Sequence, residues 1–326
     1  MKDKILRLLR NREEFVSGQA ICSELGVSRT AVWKTMNQLK EEGYEIKSVN
    51  NRGYKLVESP DLVTAAEVKS LLNAKWIGEE VVYFDTTNST NTQAKRLAEE
   101  GAANGTVVVA DCQEGGKGRR GKSWCTPKGE GISFSIILRP NILAVNASML
   151  TLVAGLAVAK AVKEVLDVDC KIKWPNDIVS RGKKLTGILT ELSTEVDYVN
   201  YVVVGIGING NNLEFPEEIA SIATSLAVEK RERIHRADVI AACLESFEVL
   251  YERFLETEDL SGMIEEYNEL LINREKEVRV ISSKEEIIAT AKGINERGEL
   301  IILDQNQKEQ MICSGEVSVR GLYGYT

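Results

Sequence analysis

At 326 residues the chain is longer than one hydrophobic core usually supports, and 43% apolar with 28% charged residues describes an ordinary globular protein of two or three domains. The net charge of −8 excludes a protein that coats nucleic acid along its whole length, although eleven Lys/Arg against eight Asp/Glu give residues 1–60 a charge of +3 and leave −11 for the rest. One histidine, His235, leaves almost no material for a Ser-His-Asp triad or a multi-histidine zinc site, and it reads as a surface residue.

The start, MKDKILRLLRNREE, lacks the apolar core of a signal peptide, and no apolar run approaches membrane-spanning length. The six cysteines are scattered without a C-x-x-C pair. The expectation is a cytoplasmic protein with reduced thiols and no membrane contact.

Residues 4–11 suit a first amphipathic helix, and SGQAICSELGVSRTAVWKTMNQLKEEGYEI reads as two short helices around a tight turn. Gly26 supplies the turn and Ser28 the cap of the second helix. Val32, Met36 and Leu39 form its apolar stripe, while Arg29, Thr30, Lys34 and Asn37 offer hydrogen-bonding groups to bases and phosphates. Trp33 shares that face and is expected to be partly packed rather than to read bases. Tyr44, Ile46, Tyr54 and Leu56 then alternate around Asn50-Asn51-Arg52-Gly53, a hairpin whose tip puts Arg52 within reach of a phosphate or a minor groove. Helices plus hairpin make a winged helix-turn-helix, for which DNA binding is a better reading than protein contact alone. The stretch 57–64, VESPDLVT, reads as a linker.

From residue 79, strand-like and helix-like stretches alternate. Strands are expected in EEVVYFDTT, GTVVVADCQ, GISFSIIL, DCKIKW, LTGILTEL and NYVVVGIGI; helices are expected over 90–100, 147–166 and 237–257. Within this region GKGRRGKS, residues 116–123, matches the G-x-x-x-x-G-K-[ST] pattern of a phosphate-binding loop. A strand precedes it, but SWCTPKGEG follows, with Pro127, Gly129 and Gly131 where a helix would have to begin. The match is therefore false. What remains is a glycine-rich loop with Lys117, Arg119, Arg120 and Lys122, suited to a polyphosphate or another anion. Toward the C-terminus, EVRVISS, IIATAKGINERGELIILDQ and QMICSGEVSVR read as short strands, the last run resuming after Gly315, and suit a small barrel.

In order along the chain, TTNSTNTQA (86–94), QEGGKGRRGKSW (113–124), KWPNDI (173–178), KLTGILTE (184–191) and GIGIN (205–209) resemble the successive signatures of the biotin–protein ligases. With the winged head, the chain resembles the bifunctional bacterial form that also represses the biotin operon. The resemblance implies an α+β multidomain fold: a winged helix-turn-helix over 1–60, a mixed-sheet ligase domain over 65–272 and an SH3-like β-barrel over 275–326. It implies that biotin's carboxylate attacks the α-phosphate of ATP, and that biotinyl-5'-AMP then passes biotin to a lysine of a biotin carboxyl carrier domain. Positioning and cations would carry the chemistry, with Mg2+ arriving on ATP.

By motif, Ser89, Thr90, Asn91 and Gln113 would meet biotin's polar head. Gly116, Lys117, Gly118 and Arg119 would wrap the substrate, with Arg120 beside them as a catalytic cation and Trp124 packed on the adenine. Lys117 stands where the family more often has arginine, so its backbone rather than its side chain is the safer expectation. Lys184 would reach the biotin carboxylate and the α-phosphate, and Gly187 would let the ligand approach. Asn176 and Asp177 would hold magnesium or orient the incoming amine, alternatives that the residues leave open. Biotinyl-5'-AMP would serve as corepressor, ordering loop 113–124, favouring a homodimer and pairing two heads on operator DNA. The competing readings are a lipoate or octanoate ligase of the same fold and a DNA-binding biotin sensor without ligase activity. A cysteine mechanism would need an activated Cys112, Cys125 or Cys170.

Overall fold

The computed structural model describes residues 1–195, 198–281, 286–313, 318–321 and 325–326. The head comprises helices α1 (Lys2–Arg10), α2 (Gly18–Leu25) and α3 (Arg29–Glu41), followed by the hairpin β1 (Glu45–Val49) and β2 (Gly53–Glu58). Gly26 ends α2 in the left-handed region at φ 66°, and the Ser28 hydroxyl accepts from the Ala31 amide, so the expected turn and cap both form. Ile5, Leu6, Leu9, Ile21, Val32, Met36 and Leu39 make a separate core for this unit.

The supposed linker is shorter and better held than its composition suggests, because β2 takes Val57 and Glu58. Helix α4 (Ala65–Leu71) follows and packs beside α1. Its Glu67, 1% exposed, receives the Arg10 guanidinium and, at 2.6 Å, the Tyr44 hydroxyl. Asp61 lies against Arg236, whose Nε is 2.9 Å from Asp61 Oδ2 and whose Nη1 is 2.7 Å from Asp111 Oδ1. Arg236 is 1% exposed, so one buried guanidinium joins the linker to the body.

The body continues through β3 (Val81–Thr87), α5 (Thr90–Glu99), β4 (Val107–Lys117), β5 (Ser123–Thr126), β6 (Ile132–Leu138) and α6 (Leu150–Leu166). It is completed by β7 (Lys171–Lys173), β8 (Asp177–Ser180), β9 (Lys183–Glu195), β10 (Tyr198–Ile208), α7 (Glu217–Ala220), α8 (Leu226–Lys230), α9 (Arg236–Thr257) and α10 (Ile264–Leu270). The mixed sheet runs β3-β4-β6-β10-β9-β8-β7, with β5 paired to β4; β3 and β4 run parallel, and the other neighbouring strands pair antiparallel over the described residues. One face packs against α6 and α9 through residues such as Phe134, Ile136, Val202 and Val204, and the other carries α5 on Val108, Ile137, Tyr201 and Val203.

Ala144–Leu166 is in fact long and apolar enough to cross a membrane, contrary to the reading of the sequence, but it is mostly buried inside the fold. The C-terminal unit comprises β11 (Lys276–Ile281), β12 (Glu286–Ile294), β13 (Leu300–Asp304), β14 (Glu309–Ile312) and β15 (Ser318–Gly321). These strands form an antiparallel sheet in the order β14-β13-β12-β11-β15, the strands expected of a small barrel; Gly315 lies outside the described residues. Trp174 Nε1 donates to the Gly298 carbonyl at 3.0 Å and ties this sheet to the loop between β7 and β8.

Candidate functional site

The sheet face that carries α5 changes character along its strands. Ile137 on β6 pairs with Val203 on β10, but the next pairs on that face are Ser135 with Gly205 and Ser133 with Gly207. Across the sheet, Gly207 stands opposite Gly187 of β9. Bulky residues support the helix at one end, and small ones open a cleft at the other. It is lined by Ser89, Thr90, Asn91, Gln113, Lys117, Gly118, Trp124 and Gly187 among others.

Each wall is fixed by local bonding. Ser89 is the residue before α5, yet its hydroxyl does not cap the helix. The Gln113 side-chain oxygen does so instead, accepting from the Thr90 amide at 2.9 Å. Asn91 is pinned over Gly205: its Nδ2 donates to Glu191 Oε2 at 2.9 Å, and its Oδ1 accepts from Ser135 Oγ at 2.7 Å. A side chain at position 205 would meet Asn91 Oδ1 at 1.9 Å, so only glycine fits there. Burial by itself would raise Glu191, but hydrogen bonds from Lys95 and Asn91 hold its carboxyl below the usual range.

The glycine-rich loop behaves as its composition foretold. After β4 it forms a single 3-10 turn, Arg119–Gly121, and then β5, so no α-helix opens here and the phosphate-loop match is indeed false. Trp124, on β5, lays its ring over Gly187 and Gly207 on the cleft floor.

Beside the cleft the cations meet a carboxylate. Lys184 Nζ lies 2.7 Å from Asp177 Oδ1 and 5.6 Å from the centre of the Trp124 ring. Asn176 Nδ2 donates to the same Asp177 oxygen at 3.2 Å, while Arg119 Nη1 donates to Asn176 Oδ1 at 3.0 Å. Burial lowers the Arg119 guanidinium. Arg120, at φ 57°, is exposed beside it, and Lys117 is exposed at the rim. Thus Lys184, Asp177, Asn176, Arg119 and Trp124 come together from three separated stretches of chain.

Two members of this group escaped the reading of the sequence. Lys173 is 6% exposed, and burial, with Lys184, Arg320 and Lys122 nearby, lowers its ammonium to about 8. Its Nζ sits 3.3 Å from the centre of the Tyr325 ring. The sequence signal for Lys173 was present in KWPNDI, where the lysine stands beside the Trp-Pro-Asn-Asp run. Nothing in the sequence pattern marks Tyr325, whose hydroxyl donates to Asp177 Oδ2.

Cys170 is buried and its thiol is pushed up to about 12, the opposite of what a nucleophile needs. Among the described residues no group of three His, Cys, Asp or Glu side chains is placed to hold a metal ion.

On the head, Arg29, Thr30, Lys34 and Arg52 are exposed and Asn37 is half-buried, as a DNA-facing surface requires. Trp33 corrects the expectation of packing: it is 61% exposed on that same face of α3.

Comparison with known proteins agrees with this division. Residues 2–55 match the model of a helix-turn-helix domain, 83–209 that of the biotin/lipoate A/B protein ligase family, and 275–320 that of the biotin protein ligase C-terminal domain. The bifunctional ligase/repressor BirA of Bacillus subtilis is 37% identical over 98% of both chains. That of Escherichia coli is 29% identical over 97% of this chain and 96% of its own. The biotin protein ligase of Aquifex aeolicus, solved in complex with biotin and ATP, superposes with a TM-score of 0.66 at 31% identity, covering 74% of this chain and 99% of that one.

Proposed function

The chain belongs to the biotin–protein ligase family, in its bifunctional ligase/repressor group, and on that premise we propose that its cleft joins biotin to ATP and passes biotin to a protein lysine while the head binds operator DNA. The observation that carries the ligase reading is the Lys184–Asp177 pair at 2.7 Å beside a glycine floor covered by Trp124. Small residues open room for a flat bicyclic ligand, and fixed cations stand where a carboxylate and a phosphate must meet.

In the first step a biotin carboxylate oxygen attacks the α-phosphorus, and the bond to pyrophosphate breaks as the mixed anhydride forms. Ser89 and Gln113 bind biotin's polar head, while Thr90 and Asn91 hold that wall of the cleft. Lys184 turns from Asp177 to the reacting carboxylate and phosphate oxygens, and Arg119 with Lys173 adds positive charge. Gly116, Lys117 and Gly118 wrap the nucleotide, Arg120 supplies a further cation, and Trp124 packs on its base. In the second step the acceptor amine attacks the anhydride carbonyl, an amide forms and AMP departs.

Asp177 accepts from Lys184 and Asn176 at one oxygen and from Tyr325 at the other, which fixes the carboxylate among the cations. Mg2+ would arrive on the triphosphate and neutralise charge there, and Asp177 or Asn176 would be the residue to hold it. Asp177 also acts as the partner that orients Lys184 and the acceptor amine.

The same proposal includes biotin carboxyl carrier domains as acceptors, a cytoplasmic setting and a homodimer formed when the adenylate is bound. It includes domains at 1–60, 65–272 and 275–326, the last an SH3-like barrel. Exchange of labelled pyrophosphate into ATP tests the first step: exchange with biotin, and none with lipoate or octanoate, is expected. No exchange from folded protein with any of the three acids would leave a sensor that binds without activating.

A further inference from the structure

Within the ligase reading above, on which this inference rests, we propose that Tyr325 is a positioning residue, contributed by the C-terminal segment, that holds the Asp177 carboxylate in the orientation Lys184 requires. Three side chains already lead toward that carboxylate. Arg119 donates to Asn176 at 3.0 Å, Asn176 to Asp177 Oδ1 at 3.2 Å, and Lys184 to the same oxygen at 2.7 Å. Asn176 and Lys184, with Arg119 behind Asn176, anchor one side of the carboxylate. The other oxygen, Oδ2, accepts from the Tyr325 hydroxyl.

A carboxylate held at one oxygen still turns about its bond to Cβ, whereas donors at both oxygens fix its plane. The second donor gains importance when substrate oxygens draw Lys184 away. Asp177 then loses the ammonium at 2.7 Å, and Tyr325 with Asn176 remains to keep the half-buried carboxylate satisfied and aimed. Burial, followed by the nearby Asp177 charge, raises the Tyr325 phenol, so it stays protonated and remains a donor.

The tyrosine is itself braced. Its ring lies under the Lys173 ammonium at 3.3 Å, which fixes the ring face. The neighbouring Thr326 lies close to Gly182, in the turn between β8 and β9 that leads into Lys184, and to Gly321 at the end of β15. Residues 325 and 326 thus touch Asp177 on β8 and the turn that leads into Lys184 on β9.

Tyr325→Phe keeps the ring over Lys173 and removes only the donor. In the full chain, with biotin, MgATP and a carrier-domain acceptor, kcat for biotin transfer is expected to fall by about tenfold, in line with loss of a hydrogen bond to a charged group. The KM values for biotin and ATP should stay within about twofold, because the ring and the other contacts remain. A double-mutant cycle separates positioning from general support. In an Asp177→Asn background the added Tyr325→Phe change should cost little, since the carboxylate it orients is gone.

An unchanged kcat in Tyr325→Phe, or an equal loss in both backgrounds, would overturn the proposal. Wild-type protein that fails to exchange pyrophosphate with biotin would instead overturn the ligase reading itself and this proposal with it.

Discussion

Trp124 lies so close to Gly207 that a Cβ at position 207 would stand 2.4 Å from the indole nitrogen. The indole can rest on the sheet only because β10 has no side chain there. Gly207→Ala should displace Trp124 from the cleft floor without unfolding the sheet, at a packing cost of about 1–3 kcal/mol. The kcat/KM for ATP in pyrophosphate exchange should fall at least about tenfold, accompanied by a shift in tryptophan emission. Unaltered kinetics would mean that the stacking has no part in nucleotide binding.

Lys184→Ala removes the cation nearest the reacting oxygens. Adenylation should slow by about 10²–10³-fold, the range seen when one preorganised donor to a developing charge is lost. Circular dichroism should be unchanged, since Lys184 is part-exposed and Asp177 keeps its bonds to Asn176 and Tyr325. Full activity in this variant would move the catalytic assignment elsewhere.

Lys173 gives the site a pH dependence. Its ammonium is lowered to about 8, chiefly by burial, so the cation is present below that pH and lost above it. For a group that attracts phosphate, kcat/KM for ATP should decline as pH rises through about 8. Lys173→Met should lie about tenfold lower at pH 7 and show no such decline. A profile of kcat/KM from pH 6.5 to about 9.5 on both proteins decides the matter.

Arg236 neutralises two carboxylates at once. Replacing it with methionine leaves Asp111 buried without its cation and half-buried Asp61 with the more distant Arg233 at 3.9 Å, a change worth about 3–5 kcal/mol. A fall in melting temperature on the order of 5–15 °C is expected by calorimetry. Asp111 lies two residues before Gln113 on β4, so weaker biotin binding should accompany the loss of stability.

On the head, Lys34 and Trp33 should act differently on DNA. Lys34→Ala should weaken binding to all sequences and reduce the slope of log affinity against log salt by about one. Trp33→Ala should weaken binding while leaving that slope intact, because an exposed ring contributes contact with bases or sugars rather than charge. Equal affinity of Trp33→Ala and wild type would return that residue to mere surface.

The fold was legible wherever local periodicity decides it. The Val32, Met36 and Leu39 stripe, the Ser28 cap and the apolar strands β4, β6 and β10 all lie where alternation or helical spacing put them. The glycine loop could be separated from a phosphate-binding loop because Pro127, Gly129 and Gly131 forbid a helix. Long-range pairing could not be read in this way. Arg236 sat in a polar run beside His235, and only the fold reveals Asp61 and Asp111 around it. Trp33 was misjudged because tryptophans usually find cover, and on α3 nothing covers this one. Tyr325 meets Asp177 across 148 residues of sequence, a relation no spacing encodes.

The Asp61–Arg236 contact also bears on how the molecule may be divided. Asp61 precedes α4 and looks expendable in a fragment meant to isolate the ligase, yet it supplies one of the two carboxylates around a cation at the heart of that half. Tyr44 and Arg10, on the head's side, likewise satisfy Glu67 inside α4. A cut after the wing that retains Asp61 keeps the guanidinium paired but leaves Glu67 without its partners. Glu67 is then the position to neutralise by substitution if the shortened enzyme is to match the parent's stability.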